Sequence, residues 1–406
     1  MKILMIAWGY LPYSFSEGLC NGKLVYALES AGIDVTVISR IDTGFTYCSE
    51  WTSPWDKLKP HTILIDYPIG NPFIRTLDVL RSSIIMDGYM DGGVRWARRA
   101  YKKALNLINE CSFDAILTRS PNDISHIIGY KLKQKTGIRW IANWNDPADP
   151  IWPGKYKHNY SVQKQRRLMA RTEKLLRGAD VNTFPSQSLC NHFIESFPLL
   201  KGSRYSIIPH IGLCMELWPQ KRNTSHTSLK FLHSGNLSEE RNPEILFLCL
   251  KRIVDEGFSD FQFHIMGNVN TYTTRLIEKY NLSENVKIIG NYQYLDALGK
   301  LQDYDVLILL EAQMERGIFF ASKITDYLQS GLPIFAISPA KGFAADLLKN
   351  QEGEFFADNT DEQSVYNNLI TIITRWKNNT LKNCVTRNLY HNVSPEVVVK
   401  LYKAII

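Results

Sequence analysis

The chain has 406 residues, 45% hydrophobic and 21% charged, which is the composition of an ordinary globular protein long enough for two domains. No apolar run reaches the roughly 18 to 20 residues that a membrane-spanning helix needs, and residues 2–7 predict a first strand rather than a signal peptide. The seven cysteines are scattered without the paired spacing of zinc or redox sites, which predicts a protein of the reducing cytosol.

The formal net charge of +7 is distributed unevenly along the chain. Residues 1–225 carry 29 Lys and Arg against 19 Asp and Glu, a balance of +10, whereas residues 226–406 carry 18 against 21, a balance of −3. The basic first part therefore predicts an anionic partner.

The cations of the first part are densest in residues 95–103 and 155–177. Tyr89, Trp96 and Tyr101 accompany the first of these segments, and this mixture of basic and aromatic residues favours peripheral contact with an anionic membrane. Either segment alone is equally consistent with a solvated helix face. No recognised nucleic-acid motif accompanies the charge, so nucleic acid is not an expected partner.

Short apolar runs alternate with helical patterns along the chain, which is typical of βα units and parallel sheets. The strands predicted in the first part are 2–7, 35–39, 62–66, 114–118, 138–143, 179–184 and 205–209. Those predicted in the second part are 229–234, 261–266, 286–289, 305–311, 333–338 and 354–357.

The polar stretch 219–228 separates the two sets of strands and predicts a linker. We therefore expect an α/β protein with a Rossmann-like domain over residues 1–218 and a second one over 229–394. The two domains are expected to face each other across a cleft, with the last helix, 395–406, returning to the first domain.

The segment 322–334, with the sequence SKITDYLQSGLPI, combines a cation and a carboxylate at a predicted strand-to-helix junction. Lys323 and Asp326 are three residues apart and should share one helix face. The preceding strand, 305–311, is apolar and reads as a buried parallel strand, and open α/β sheets bind ligands beyond the carboxyl ends of such strands. This position suits a nucleotide. The alternative is a simple surface ion pair between the two side chains.

Several short motifs, taken in order, resemble the GT-B-fold glycosyltransferases of the retaining family four type, the glycosyl transferases group 1. The resemblance covers nearly the whole chain. Segment 322–334 resembles the family's Ser-Lys-x-x-Glu-Tyr-Leu-x-x-Gly-x-Pro signature. The other matching segments are Gly9–Pro12 with Ser16–Gly18, Asn145–Pro147, Gly178–Val181, Ile207–His210, and His233–Leu237 with Arg241–Pro243.

The resemblance implies a site for a nucleotide-diphosphate sugar in the second domain. Asp326 would bind the ribose diol, because a carboxylate accepts two hydrogen bonds, while Arg241 and Lys323 would face the pyrophosphate. The backbone amides of Phe320, Ala321 and Ser322 would cradle it at the helix start. The nucleotide sugar is then a co-substrate, and no metal or other cofactor is expected. The further candidates for the nucleotide-sugar site are Gly18, Asn236, Gly267, Asn291 and Tyr292.

Three positions depart from the family pattern. Asp326 stands where the family has Glu, and Asn236 stands where it has an arginine. The family's other glutamate, eight residues before the first, would fall on Ile318. Glu315 or Glu311 could reach the sugar instead, and Glu315 is our candidate for the catalytic group together with Arg241 and Lys323.

On the acceptor side the candidates are Asp146 and His210. Asp146 precedes a proline and fits a turn equally well, and a histidine such as His210 is more often packed in a core than used as a base. Gly18 fits a plain turn as well, and Asn291 with Tyr292 could pack on a nucleobase or simply line the cleft. Arg241 could also pair with Glu239 or Glu244.

The resemblance therefore predicts a cytoplasmic glycosyltransferase, peripheral to the inner face of the membrane, that transfers a sugar to a glycan or lipid-linked acceptor in surface polysaccharide biosynthesis. It implies a retaining, metal-independent reaction. One alternative is a catalytically silent nucleotide-sugar-binding or scaffold subunit, which the missing glutamate at Ile318 favours. A nicotinamide-dependent oxidoreductase is a weaker alternative, because only Gly9 follows strand 2–7 closely and the dinucleotide fingerprint is absent.

Overall fold

The structure, a computed structural model, describes most of the chain. The described ranges are 1–13, 15–41, 54–67, 93–120, 123–220, 227–349, 355–381 and 387–406, with the single positions 73, 76, 77, 80 and 351. These residues form two compact units: Met1–Ile211 with Pro395–Ile406, and Gly212–Ser394. The predicted linker, 219–228, includes residues 221–226, which lie outside the described residues.

The first unit is built on a parallel sheet of the described strands β1 to β7, in the order β3-β2-β1-β4-β5-β6-β7. The strands are β1 (Lys2–Ala7), β2 (Asp34–Ile41), β3 (Thr62–Asp66), β4 (Ala115–Arg119), β5 (Arg139–Asn143), β6 (Val181–Phe184) and β7 (Tyr205–Ile207). The helices between them are α1 (Ser16–Ser30), α2 (Val94–Glu110), α3 (Asp123–Thr136), α4 (Val162–Gly178) and α5 (Gln187–Ser196). The central strands β1 and β4 are buried almost throughout, as expected for a parallel sheet that helices cover on both faces.

The second unit has its own parallel sheet, in the order β10-β9-β8-β11-β12-β13. These strands are β8 (Leu229–Ser234), β9 (Phe261–Met266), β10 (Val286–Ile288), β11 (Val306–Leu310), β12 (Ile334–Ser338) and β13 (Phe355–Asp358). The helices are α6 (Glu244–Asp255), α7 (Thr271–Lys279), α8 (Tyr294–Leu301), α9 (Lys323–Ser330), α10 (Phe343–Leu348), α11 (Glu362–Lys377) and α12 (Arg387–Tyr390).

Local sequence explains where α9 ends. Gly331 adopts the left-handed conformation, with φ of 70°, that terminates many helices. Pro333 follows two residues later and cannot continue a helix, so the chain turns directly into β12. The Ser-Gly-Leu-Pro segment thereby connects the end of α9 to the start of β12.

The last helix, α13 (Pro395–Lys403), belongs to the first unit. Two arginines of the first sheet bind this helix and the residues that follow it. Arg119 Nη1 donates a hydrogen bond to the Tyr402 hydroxyl at 3.0 Å, and Arg139 Nε donates one to the Ile405 carbonyl at 2.7 Å.

Each predicted strand overlaps a strand of the structure, so the α/β prediction with two parallel, Rossmann-like sheets is confirmed. The prediction for Trp96 as a surface aromatic is wrong. Trp96 is fully buried on the face of α2 that also carries Ala97 and Ala100, and its indole N–H donates to the Ser39 carbonyl. Tyr101 is partly buried and Tyr89 lies outside the described residues. In the part of the chain that the structure describes, every helix is too short or too polar to cross a bilayer.

Candidate functional site

Two glycines at the carboxyl ends of β8 and β9 allow an unusually close approach of three chain segments. Gly235 has a φ of 123° and Gly267 a φ of 150°, backbone conformations that favour glycine. A Cβ atom on Gly267 would lie 2.4 Å from the Gly235 carbonyl oxygen, and one on Gly235 would lie 2.6 Å from Lys323 Nζ. The absence of side chains at both positions therefore lets Lys323 reach the end of β8.

Lys323 is the first residue of α9, and its amine binds the last buried side chain of β8. Lys323 Nζ lies 3.3 Å from His233 Nε2, and His233 Nδ1 lies 3.0 Å from the Ile308 carbonyl. Because a carbonyl only accepts, Nδ1 carries the proton and Nε2 accepts from the lysine. Burial and the adjacent Lys323 hold the pKa of His233 well below its ordinary value. His233 is therefore a neutral support for the lysine amine.

Lys323, Arg241 and Glu311 form a group of charges at this edge of the sheet. Burial, together with the charge of Arg241, lowers the pKa of Lys323 to about 7, and Glu311 opposes the shift. Burial also raises the pKa of Glu311, against the effect of Arg241 and Lys323. Among the described residues, Arg241 forms no ion pair within 4.0 Å, so the alternative pairing with Glu239 or Glu244 is not formed.

Two polar atoms of this group are buried without a hydrogen-bond partner in the described structure, namely Arg241 Nε and Glu311 Oε1. Buried polar atoms are nearly always paired, and a missing partner in a group of charges indicates a place where a ligand supplies it. The group contains both an unpaired donor and an unpaired acceptor. It therefore suits a ligand that carries an anionic part and a hydrogen-bond donor.

Asp326 lies one turn inside α9 and is partly exposed. Its Oδ1 accepts a hydrogen bond from the Tyr294 hydroxyl at 2.7 Å. Lys323 and Asp326 form no ion pair, because the lysine amine is turned towards His233. The alternative of a plain surface pair is thus not realised.

The start of α9 presents free backbone donors. Ala321, Ser322 and Lys323 donate no backbone hydrogen bond within the described part of the chain. Such amides at a helix start attract anions. Phe320, just before them, stacks on Phe343 with ring centroids 4.0 Å apart, which fixes the chain entering the helix.

Asn236, Asn268 and Asn291 link the ends of β8, β9 and β10. The Asn236 side-chain oxygen accepts from the Asn268 backbone N–H at 2.9 Å, and the Asn268 side-chain oxygen accepts from Asn291 Nδ2 at 2.7 Å. Asn236 therefore holds neighbouring loops together. Tyr292, next to Asn291, is 40% exposed, and Lys300 Nζ lies 4.5 Å from its ring centroid.

The two acidic candidates of the segment between β11 and α9 differ in their surroundings. Glu315 is exposed and is not among the charges that shift the pKa of Lys323, whereas Glu311 is. Ile318, the position of the family's other glutamate, is buried at 2% exposure. The structure thus brings Glu311, and not Glu315, together with Arg241 and Lys323.

The first unit has a second polar cluster, centred on Glu17. Asn145 Nδ2 donates to both Glu17 oxygens, at 2.8 and 3.0 Å, and Arg119 Nε lies 3.5 Å from Glu17 Oε1. Burial raises the pKa of Glu17 to about 7; Arg119 and hydrogen bonds oppose the shift and Asp146 adds to it. Glu17 is thus a buried acid that titrates near neutral pH.

The acceptor-side candidates lie around this cluster. His210 lines one small pocket with Arg119, Asn145 and Tyr402, and Asp146 is close enough to act on the charge of Glu17. A glycine is required at position 18 because the backbone of Tyr13 packs closely against it. A Cβ atom there would lie 2.4 Å from the Tyr13 carbonyl oxygen. Gly18 therefore shapes a loop of the first unit.

Sequence reasoning missed several members of both clusters. Glu17 lies within Ser16–Gly18, one of the segments that resemble the family. Its position next to Gly18, a predicted site residue, could therefore have indicated it. His233 lies near the end of β8, and Asn268 follows the end of β9. Arg119 and Tyr402 are 283 positions apart, and no local pattern joins them.

Residues 215–388 match the family model for glycosyl transferases group 1. Sucrose-phosphate synthase from Thermosynechococcus elongatus is similar in structure, with a TM-score of 0.69, 14% identity and coverage of 100% of this chain and 99% of that one. Anabaena HepE, solved with UDP, gives a TM-score of 0.66 at 15% identity, covering 100% of this chain and 99% of HepE. The lipopolysaccharide outer core galactosyltransferase WaaB gives 0.58 at 13% identity, covering 100% and 99%. No curated protein sequence matches the chain.

Two parallel, Rossmann-like sheets with a charged site at the carboxyl edge of the second define a protein of the GT-B fold. Residues 215–388 form a glycosyl transferases group 1 domain, and the chain is accordingly a glycosyltransferase.

Proposed function

We propose that this glycosyltransferase moves a sugar from a nucleoside-diphosphate sugar, bound in the second unit, to a glycan or lipid-linked glycan. The observation that carries the proposal is the group of Arg241 and Lys323 beside the free amides of Ala321 and Ser322. Two cations and a helix start converge on one place at the edge of the sheet. A diphosphate is the ligand that uses all of them.

Asp326 would accept hydrogen bonds from the ribose hydroxyls, with Tyr294 orienting its carboxylate from the other side. The diphosphate would then lie over the start of α9. As the bond between sugar and phosphate breaks, negative charge develops on the departing diphosphate, and Lys323 and Arg241 stabilise that charge more than they stabilise the bound donor. His233 keeps the lysine amine in place throughout.

Retention and metal independence are part of the proposal. The acceptor hydroxyl would attack the anomeric carbon on the face from which the diphosphate leaves, and its proton would pass to the leaving phosphate oxygen. This accounts for every proton without a dedicated base in the second unit. The cations Lys323 and Arg241 would supply the charge that a metal ion supplies elsewhere.

UDP is the first nucleoside diphosphate to test, because the similar HepE was solved with UDP and with UDP-glucose. The similar WaaB is a lipopolysaccharide galactosyltransferase by name, which supports a surface-polysaccharide setting.

The first unit would hold the acceptor through the cluster of Glu17, Asp146 and His210. The exposed cations of α2 support an anionic or membrane-bound acceptor: Arg98, Arg99, Lys102 and Lys103 all lie on its outer face. Cosedimentation with vesicles of anionic lipid tests this part. Wild type should bind at low salt, and Arg98→Glu/Arg99→Glu should reduce binding, whereas the exposed pair Lys287→Glu/Lys349→Glu of the second unit should not.

The second candidate is a silent nucleotide-sugar-binding subunit, and the specific observation in its favour is the buried Ile318 in place of an acid. Release of nucleoside diphosphate from UDP-glucose, UDP-galactose and UDP-N-acetylglucosamine, without acceptor and with EDTA present, separates the two. A transferase should release UDP slowly from one of them, and Lys323→Met should abolish the release. Binding without release, also after acceptor glycans are added, would favour the silent subunit.

A further inference from the structure

Glu311 directly follows β11, a central strand of the second sheet, and its main chain is fixed on two sides. Its N–H donates to the Ile337 carbonyl at 3.0 Å, and its carbonyl accepts from Asn359 Nδ2 at 3.0 Å. The side chain therefore projects from a rigid base at the carboxyl edge of the sheet. A group held in this way can select a ligand by geometry.

The Glu311 carboxylate is close to two cations without being paired to either. Among the described residues it has no ion pair within 4.0 Å, and its Oε1 is buried without a hydrogen-bond partner. A buried carboxylate oxygen that receives no hydrogen bond is costly. What it lacks is a donor, and neither Arg241 nor Lys323 supplies one.

We propose that Glu311 accepts a hydrogen bond from a hydroxyl of the donor sugar and so helps to determine which sugar is transferred. The inference rests on the proposed function, because it takes Arg241 and Lys323 as the diphosphate-binding groups. The sugar is bonded directly to the diphosphate and must lie next to those two cations. Its hydroxyls are neutral donors, which suit a buried acceptor.

The surroundings exclude the other acid of this segment from the role. Glu315 is exposed and does not act on Lys323, while Ile318 is apolar and buried. Glu311 is therefore the acid that the described structure holds beside the cations. Its neighbour Glu315 provides a matched control of the same residue type, four positions further along.

The test compares a nucleoside diphosphate with its sugar conjugate by calorimetry. UDP, GDP, CDP and ADP are titrated into wild type first, and then the glucose, galactose and N-acetylglucosamine conjugates of the base that binds. In Glu311→Gln, which keeps size and removes charge, the diphosphate should bind within twofold of wild type, while the preferred sugar nucleotide should bind about tenfold more weakly. Glu315→Gln should change neither. Glu311→Asp serves as a second variant if Glu311→Gln does not fold.

A double-mutant cycle with deoxy-sugar nucleotides sharpens the result. One deoxy analogue should weaken binding to wild type and have no further effect in Glu311→Gln, which identifies the hydroxyl. An equal loss of diphosphate and sugar nucleotide, or no loss of either, would overturn the inference and leave the proposed function standing. Failure of every diphosphate to bind wild type would overturn the proposed function, and this inference with it.

Discussion

The Lys323 amine donates to Nε2 of His233 across 90 positions of sequence, with the two atoms 3.3 Å apart. This contact joins the start of α9 to the end of β8. Because His233 Nδ1 is in turn bound to the Ile308 carbonyl, three segments at the edge of the second sheet share one hydrogen-bonded chain. The lysine is thus held in place before any ligand arrives. Its buried position lowers its pKa and so disfavours the protonated amine.

Replacing Lys323 should separate binding from stability. Lys323→Met keeps the length of the side chain and removes the amine, so binding of the nucleoside diphosphate should fall at least tenfold. Stability should stay equal or rise, because burial opposes the lysine's charge. Calorimetry and urea unfolding measure the two effects, with the exposed Lys287→Met as the control. A variant that binds normally would contradict the assigned role.

The affinity for a sugar nucleotide should depend on pH through the same lysine. Its pKa in the free protein is about 7, below the ordinary value, so protonation is lost as pH rises through 7. Anion binding favours the protonated form, and affinity should therefore fall between pH 6 and pH 9. A sugar diphosphate has no ionisation of its own in this range, which makes it the right probe. Lys323→Met should give a flat profile, and a flat wild-type profile would refute the effect.

Gly267→Ala should disturb the site without touching a charged group. The new Cβ would meet the Gly235 carbonyl at 2.4 Å, in a backbone conformation that side chains rarely adopt. We expect a loss of about 2 kcal/mol or more in the free energy of unfolding, together with weaker diphosphate binding. Gly299→Ala, inside α8 with only a 3.8 Å contact, should be neutral or slightly stabilising. Equal stability of the two variants would contradict the packing argument.

Glu17 should make the stability of wild type depend on pH. Its pKa is raised to about 7 in the folded protein, so the folded state holds a proton that the unfolded state has lost above the ordinary value near 4.5. Stability should therefore fall as pH rises from about 5 to 7.5, by on the order of 1–3 kcal/mol. Glu17→Gln should remove most of this slope. Urea unfolding at several pH values measures it, and identical slopes in both proteins would contradict the assignment.

The strands could be predicted because buried parallel strands are short continuous apolar runs, such as 305–311, which the structure has as Val306–Leu310. The predicted ends of the strands differ from the observed ones. The strand predicted at 205–209 ends at Ile207, two residues before Pro209, which has no backbone N–H to continue a ladder.

The site could be predicted only where its residues are neighbours in sequence. Lys323, Asp326 and the amides before them follow from one segment. The partner of the lysine does not, since His233 belongs to β8, far away in sequence. Spacing alone also cannot distinguish Glu311 from Glu315. Burial decides between those two, and burial is a property of the folded chain. The same holds for Arg119 and Tyr402, which only the folded first unit brings together.

Binding of nucleoside diphosphates to wild type and to Asp326→Ala, measured by calorimetry, tests the central claim most directly. UDP, GDP, CDP, ADP and NAD form the panel, and Asp296→Ala, an exposed acid on the neighbouring α8, is the control. The account predicts that one nucleoside diphosphate binds wild type and Asp296→Ala alike and that Asp326→Ala loses it. Binding of NAD alone, no binding of any diphosphate, or undiminished binding to Asp326→Ala would contradict it.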